Sequence, residues 1–135
     1  MAGDETPRPD DAPPLHDNGT DWVAVATEQE LKRRRKLLVK VDGHTVALFW
    51  VDGQPYALQN TCIHKKRHLI KGTVLGSRIV CPGHQWAFEL ATGYEKSQDA
   101  CQPTFAVRLD SGFVYLDPEP RIVVEDTSWE PGLNR

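Results

Sequence analysis

The sequence lacks the features that mark membrane-spanning, exported and disulfide-linked proteins. It contains no run of eighteen apolar residues, the length at which a membrane-spanning helix becomes a candidate. Its N-terminus has no basic segment followed by an apolar stretch and no twin-arginine pair, so no export signal is visible. Only three cysteines occur among 135 residues, which argues against a disulfide framework and favours a reducing, cytoplasmic location.

Signatures of several functional classes are also missing. The sequence shows no paired carboxylates for acid–base work, no glycine-rich phosphate loop and no nucleophile constellation. A two-histidine, one-carboxylate iron site is absent as well, and the chain is too short to form a complete oxygenase. We therefore expect a protein with no catalytic residues of its own.

The basic run Lys32–Lys36 could mark a nucleic-acid-binding surface. No aromatic residue interrupts the run, and no nucleic-acid-binding motif accompanies it. A solvated surface is the favoured interpretation, followed by protein docking. We expect neither a nucleic acid nor a membrane as a partner.

Charges are distributed unevenly along the chain. Residues 1–20 carry five acidic side chains against one arginine, together with four prolines, so we expect a flexible tail there. The sequence then predicts one domain over residues 21–117 and a C-terminal extension over residues 118–135. Between Gln59 and Phe88 there is no acidic residue, whereas basic residues occur at Lys65, Lys66, Arg67, Lys71 and Arg78.

The middle of the chain consists of short apolar runs separated by turn signals. Asp42-Gly43 and Asp52-Gly53 are pairs that type I′ hairpins prefer. The spacing predicts an all-β protein, an antiparallel barrel or sandwich, with one helical turn after Thr27. The predicted strands are Trp22–Ala26, Leu37–Val41, His44–Val51, Pro55–Gln59, Thr73–Leu75, Arg78–Cys81, Thr104–Leu109 and Phe113–Asp117.

Two cysteine–histidine pairs carry the functional signal. Cys62 and His64 follow one predicted strand, and Cys81 and His84 follow another after sixteen intervening residues. Two thiolates with two imidazoles are the ligand set of a Rieske-type [2Fe–2S] centre, and the same set suits a tetrahedral zinc ion. The residues alone thus leave open an electron carrier and a zinc-stabilised interaction module.

The surrounding motif is more specific than the four ligands. Cys62-x-His64, then Cys81-Pro82-x-His84-x-x-x-Phe88, then Thr92-Gly93, resembles the signature of the Rieske family. The resemblance covers roughly residues 22–117, most of the chain. The resemblance implies a Rieske fold, in which an antiparallel base carries a small cluster-binding β subdomain. It also implies that Cys62 and Cys81 bind the inner iron, while His64 and His84 bind the outer iron.

This sequence differs from the family's high-potential members at three positions, and these differences bear on the expected reduction potential. Arg67 and Gly83 stand where those proteins have a pair of disulfide-bonded cysteines, and Trp86 stands where they have a serine that donates toward the cluster. Fewer hydrogen bonds to the cluster predict a reduction potential near the lower end of the Rieske range, about −150 mV.

The resemblance implies a soluble electron carrier between a flavin-dependent reductase and a terminal oxygenase or related redox enzyme. A small cluster-bearing subunit of an enzyme similar to NAD(P)H-dependent nitrite reductase is the second possibility within the family. Two other residues need a role: Cys101 is expected to be a small, partly buried side chain, and His68 a solvent-facing loop residue.

Overall fold

The computed structural model describes residues 8–62, 68–82, 86–97 and 100–122. One α-helix, α1 (Glu28–Arg34), and two 3₁₀ turns, Pro9–Asp11 and Leu69–Lys71, occur in these ranges. All other regular structure in them is extended. The strands are β1 (Leu15–Asp17), β2 (Thr20–Thr27), β3 (Lys36–Val41), β4 (His44–Val51), β5 (Gln54–Gln59), β6 (Thr73–Leu75), β7 (Arg78–Val80), β8 (Ala87–Glu89), β9 (Tyr94–Glu95), β10 (Ala100–Cys101), β11 (Val107–Asp110) and β12 (Phe113–Leu116).

The predicted hairpin turns are confirmed by their backbone angles. Asp42 and Gly43 have φ of 50° and 83°, and Asp52 and Gly53 have φ of 51° and 77°. Positive φ at both central residues is the type I′ geometry, whose twist matches that of the flanking strands. These turns join β3, β4 and β5 into one antiparallel sheet.

Helix α1 begins where the sequence predicted it and continues past the expected single turn. The Thr27 hydroxyl accepts from the Glu30 backbone N–H at 3.1 Å, and Arg35 ends the helix with φ of 70°. Lys32 forms an i,i+4 ion pair with Glu28 at 2.9 Å, and its ammonium lies 5.3 Å from the Trp50 ring centroid. Pairs of this kind stabilise the helix and belong to a solvated surface.

Two hydrophobic cores lie on opposite faces of β4. Val46 and Leu48 pack into a first core with residues of β2, β12 and α1. Ala47 and Phe49 alternate with them and pack into a second core around β7 and β8. Successive side chains of a strand point to opposite faces, so β4 forms a wall between the two cores.

In the described ranges, the remaining strands form three further sheets. Strands β1, β2, β12 and β11 form a four-stranded sheet in that order, and β6, β7 and β8 form a three-stranded sheet. Both are antiparallel, as is the short β9–β10 pair. The all-β fold class is confirmed, with a barrel-like base and a smaller β subdomain beside it.

One predicted strand starts later than expected. The run from Thr104 enters β11 only at Val107. Thr104 instead makes isolated bridges with Leu58 and Arg121, so it joins the end of β5 to the chain beyond β12. Part of the predicted C-terminal extension therefore pairs with the domain.

The N-terminal tail needs a correction in its second half. Leu15–Asp17 pairs with Thr20–Trp22 as β1. The Tyr115 hydroxyl donates to the Pro13 carbonyl at 2.6 Å, and Arg108 contacts Asp17 at 2.6 Å, which lowers the pKa of that carboxyl. These contacts come from strands far along the chain, so the local composition could not reveal them. The division into three segments itself stays a prediction.

In the described part of the chain, no helix has the length and apolar character that crossing a membrane would require.

Replacing Tyr115 with phenylalanine tests how the N-terminal segment is held. The ring stays in the core, but the donor to Pro13 is lost, so the free energy of unfolding should fall by about 1 kcal/mol in urea denaturation. Limited proteolysis should also cleave near residue 13 faster. Tyr56→Phe is the matched control, and an equal loss in both variants would contradict the assignment.

Tyr115→Phe should also change how the stability of the protein depends on pH. Burial raises the pKa of the Tyr115 hydroxyl above its ordinary value of 10.0, and the charge of Asp110 adds to the shift. The neutral phenol is thus favoured in the folded state, so its contribution is complete below pH 10.0 and is lost as the pH rises further. Tyr115→Phe should therefore reduce the loss of stability at alkaline pH.

Candidate metal centre

Two of the four sequence-predicted ligands are described by the structure, and both are buried. Cys62 lies three residues after β5, and Cys81 directly follows β7. Each is 1% exposed, and both belong to the second core, where they pack with Phe88 and Leu69. The fold thus brings the two thiols to the ends of strands around one apolar core. His64 and His84 lie outside the described residues.

Asn60 closes the base of the first loop, residues 60–68. Its side-chain oxygen accepts from the Ile70 N–H at 2.9 Å, and its amide nitrogen lies 2.8 Å from His68 Nδ1. Its backbone carbonyl accepts from the Leu69 N–H at 2.7 Å. The side chain is only 2% exposed, so these bonds satisfy polar groups that burial would otherwise leave costly. The two ends of the loop are held together next to Cys62.

Gln102 supports the same loop from another segment. Its fully buried side-chain amide donates to the carbonyls of Gln59 and Thr61 at 2.7 and 2.8 Å. These two carbonyls flank the point where the chain leaves β5 and approaches Cys62. The Gln102 side chain therefore gives these two carbonyls hydrogen bonds of the kind that a neighbouring strand donates in a sheet.

The second loop, residues 81–86, is closed by a backbone bond. The Cys81 N–H donates to the Trp86 carbonyl at 2.8 Å, which continues the β7–β8 pairing by one step. Trp86 is partly buried and packs against Phe88, with ring centroids 6.1 Å apart. The packing role expected for Trp86 agrees with this arrangement, and Phe88 anchors β8 in the second core.

Gly93 explains the Thr92-Gly93 element of the motif. Its φ is 79°, and a Cβ atom there would lie far inside contact distance of the Gln102 carbonyl oxygen. The Gln102 N–H donates to the Gly93 carbonyl at 2.7 Å, so the two backbones must approach closely. The turn at Gly93 thereby fixes Gln102, which in turn holds the chain before Cys62.

A lysine from the basic run supports the exit of the first loop. Lys36 Nζ donates to the carbonyl of Gly72 at 2.6 Å and to that of Ile70 at 3.3 Å. Gly72 is required there because a Cβ atom would collide with the Val80 carbonyl. The first loop therefore ends against β7, the strand that leads to Cys81.

The two remaining sequence candidates occupy positions close to those expected. Cys101 is partly buried, and its thiol lies 3.8 Å from the Thr92 carbonyl oxygen. His68 is exposed and contacts Asn60. Asn60 and Gln102 were not singled out in the sequence, since a buried amide becomes recognisable only from contacts between distant segments.

Two buried thiols that approach one core from separate strands suit a metal centre that needs two thiolates, such as a Rieske cluster. Comparison with known proteins agrees. The family model described as "Rieske [2Fe-2S] domain" matches residues 21–109. The ferredoxin component of the naphthalene 1,2-dioxygenase/salicylate 5-hydroxylase systems of Ralstonia sp. is 30% identical over 105 residues, which cover 73% of this chain and 97% of that protein.

Solved structures share the fold. A chain in the complex of reduced oxygenase and oxidized ferredoxin in carbazole 1,9a-dioxygenase has a TM-score of 0.67 at 29% identity, over 75% of this chain and 96% of that one. The ferredoxin of carbazole 1,9a-dioxygenase from Nocardioides aromaticivorans IC177 has a TM-score of 0.66 at 27% identity, over 73% and 98% of the respective chains.

The chain belongs to the Rieske [2Fe–2S] domain family, and its cofactor is one Rieske-type [2Fe–2S] cluster. Of the two metals that the four predicted ligands left open, the comparisons thus favour iron–sulfur over zinc. They do not favour the nitrite reductase-like subunit either.

Gly93→Ala should disturb the site far more than a glycine-to-alanine change at a turn that has open space around it. Gly112 is the matched control, because its φ of 84° resembles the 79° of Gly93 while nothing lies within 4 Å of an added Cβ. Both variants strain the backbone, but only Gly93→Ala forces the Gln102 backbone away. We expect a lower melting temperature and less iron per chain for Gly93→Ala than for Gly112→Ala. Equal losses would contradict the steric argument.

Proposed function

We propose that this protein is a soluble, cytoplasmic one-electron carrier whose cluster is held by Cys62, His64, Cys81 and His84. The proposal depends chiefly on one observation: two buried cysteines approach one core from the ends of two strands in a Rieske domain. The cluster, when bound, accepts and releases single electrons.

The choice of His64 and His84 as the other two ligands rests on their positions in the sequence beside the two cysteines. In the sequence, residues 63–67 directly follow Cys62 and residues 83–85 follow Pro82. Each segment contains a single side chain of the metal-binding types: His64 in the first and His84 in the second. A cluster that uses Cys62 and Cys81 would find its imidazole ligands within a few residues of each thiolate. Neither His68, which contacts Asn60, nor Cys101, whose thiol lies beside the Thr92 carbonyl, is needed.

The chain's own residues contribute burial and rigidity. The apolar second core surrounds Cys62 and Cys81 and keeps water from the thiolates. Asn60 and Gln102 fix the backbone before and after the first loop. Because these fixed flanking segments would rearrange little when the cluster changes charge, they favour fast electron exchange.

The partners are proposed from the relatives. The Ralstonia relative is a ferredoxin component of dioxygenase systems, and one structural relative was solved as a complex of oxygenase and ferredoxin. We infer that this chain receives electrons from a flavin-dependent reductase and delivers them to a terminal oxygenase or a similar redox enzyme.

Single substitutions test the ligand set. Cys62→Ser, Cys81→Ser, His64→Ala and His84→Ala should each abolish the visible spectrum and the EPR signal of the reduced cluster, and should lower the iron content. Cys101→Ser and His68→Ala are the matched controls and should keep both. A cluster that survives Cys81→Ser, or is lost with Cys101→Ser, would refute this assignment. Purified protein with stoichiometric zinc and no iron would favour the zinc module instead.

Electron transfer is tested on the isolated chain. Protein reduced under anaerobic conditions and freed of reductant should pass one electron per chain to oxidised cytochrome c, whereas Cys81→Ser should pass none. In native extracts, a free carrier should elute near its own mass of 15.2 kDa. Stoichiometric co-elution with one large enzyme, together with no transfer by the free chain, would favour a bound subunit.

A further inference from the structure

Glu95 is a buried carboxylate that the electron-carrier function does not yet explain. It lies on β9 and is 4% exposed, which is unusual for a glutamate. One carboxylate oxygen accepts from the Ala87 N–H at 2.8 Å, and the other accepts from the Ser97 hydroxyl at 2.6 Å. The side chain is therefore fixed in position.

The carboxylate lies at the base of the second loop. Ala87 directly follows Trp86, and the Trp86 carbonyl accepts the N–H of Cys81. Glu95 thus binds the outer edge of β8 one residue from the bond between Cys81 and Trp86 that closes the second loop. From the sequence alone, this part of the chain contains no acidic residue between Gln59 and Phe88. The fold places one acidic side chain, Glu95 of the following strand β9, against this segment.

Two hydrogen bonds offset the cost of burying the charged form of the Glu95 carboxylate. Hydrogen bonds donated to a carboxylate stabilise the charged state, and both oxygens accept one. Arg78, Glu89 and Lys96 line the same cavity of about 510 Å³ as Glu95, and Arg78 pairs with Glu89. Burial also means that solvent and salt screen this charge weakly.

We propose that Glu95 is a positioning residue that lowers the reduction potential of the cluster by holding a fixed negative charge at the base of the second loop. The inference rests on the proposed function and its ligand set. Reduction adds a negative charge to the centre, and a buried carboxylate nearby disfavours that addition. The low potential expected from the missing serine at Trp86 would then have a second cause.

Glu95→Gln is the principal test, because it removes the charge and keeps the shape and one acceptor oxygen. In cluster-loaded protein, a redox titration followed by EPR should give a more positive potential than in the wild type. The g values and the iron content should not change. A wild-type potential in Glu95→Gln with an intact EPR signal would overturn this inference alone, whereas absence of a Rieske signal in the wild type would overturn the proposed function.

Glu89→Gln is the matched control. Glu89 lies on the neighbouring β8, but its side chain is 34% exposed and pairs with Arg78 at 2.8 Å. Its removal should shift the potential less, and the shift should disappear in about 1 M salt, where the screening length is only about 3 Å. The shift from Glu95→Gln should persist in that salt. Equal shifts with equal salt dependence would contradict a buried charge.

Two further measurements cover the case in which Glu95→Gln loses iron. Glu95→Asp keeps the charge, so its potential should stay close to that of the wild type; a clear positive shift in this variant would overturn the proposal. The wild-type potential should also remain low in about 1 M salt. A rise there would assign the low potential to exposed charges instead.

Discussion

Strand β4 is buried on both faces, and both hydrophobic cores depend on it. Val46 and Leu48 complete the core of the barrel, whereas Ala47 and Phe49 complete the core that contains the two cysteines. Burying one large apolar side chain fully contributes about 1.5–3 kcal/mol, so this strand concentrates stability in one place. A register shift of one residue would exchange the two sets of side chains. The tight turns at either end of β4 therefore fix the site as well as the fold.

The first loop, which follows β5, is held by polar side chains rather than by further strands. At the end of β5 the Gln102 amide donates to the carbonyls of both Gln59 and Thr61. Asn60 does the same for the far end of the first loop. A buried amide stabilises such a position only when its partners are correctly placed, so these residues make the loop geometry specific.

The sequence predicted what is locally encoded. Asp-Gly pairs fixed the hairpins of β3, β4 and β5, and Thr27 fixed the start of α1, because each signal acts within a few residues. The N-terminal tail was interpreted wrongly for residues 15–17, since the partners that order it, Tyr115 and Arg108, are 102 and 91 residues away from their contacts. Gln102 escaped notice for the same reason, with partners 43 and 41 residues distant.

The same distinction applies to charge. A linear scan finds a stretch without acidic residues and suggests that only basic side chains surround the site. The folded chain places Lys71 at the surface and Glu95 in the interior, close to the second loop. Surface cations act on an approaching partner and weaken in salt, whereas a buried carboxylate acts on the centre itself and is screened little. With this separation, partner recognition could change through surface residues while the reduction potential, set from the interior, stays the same.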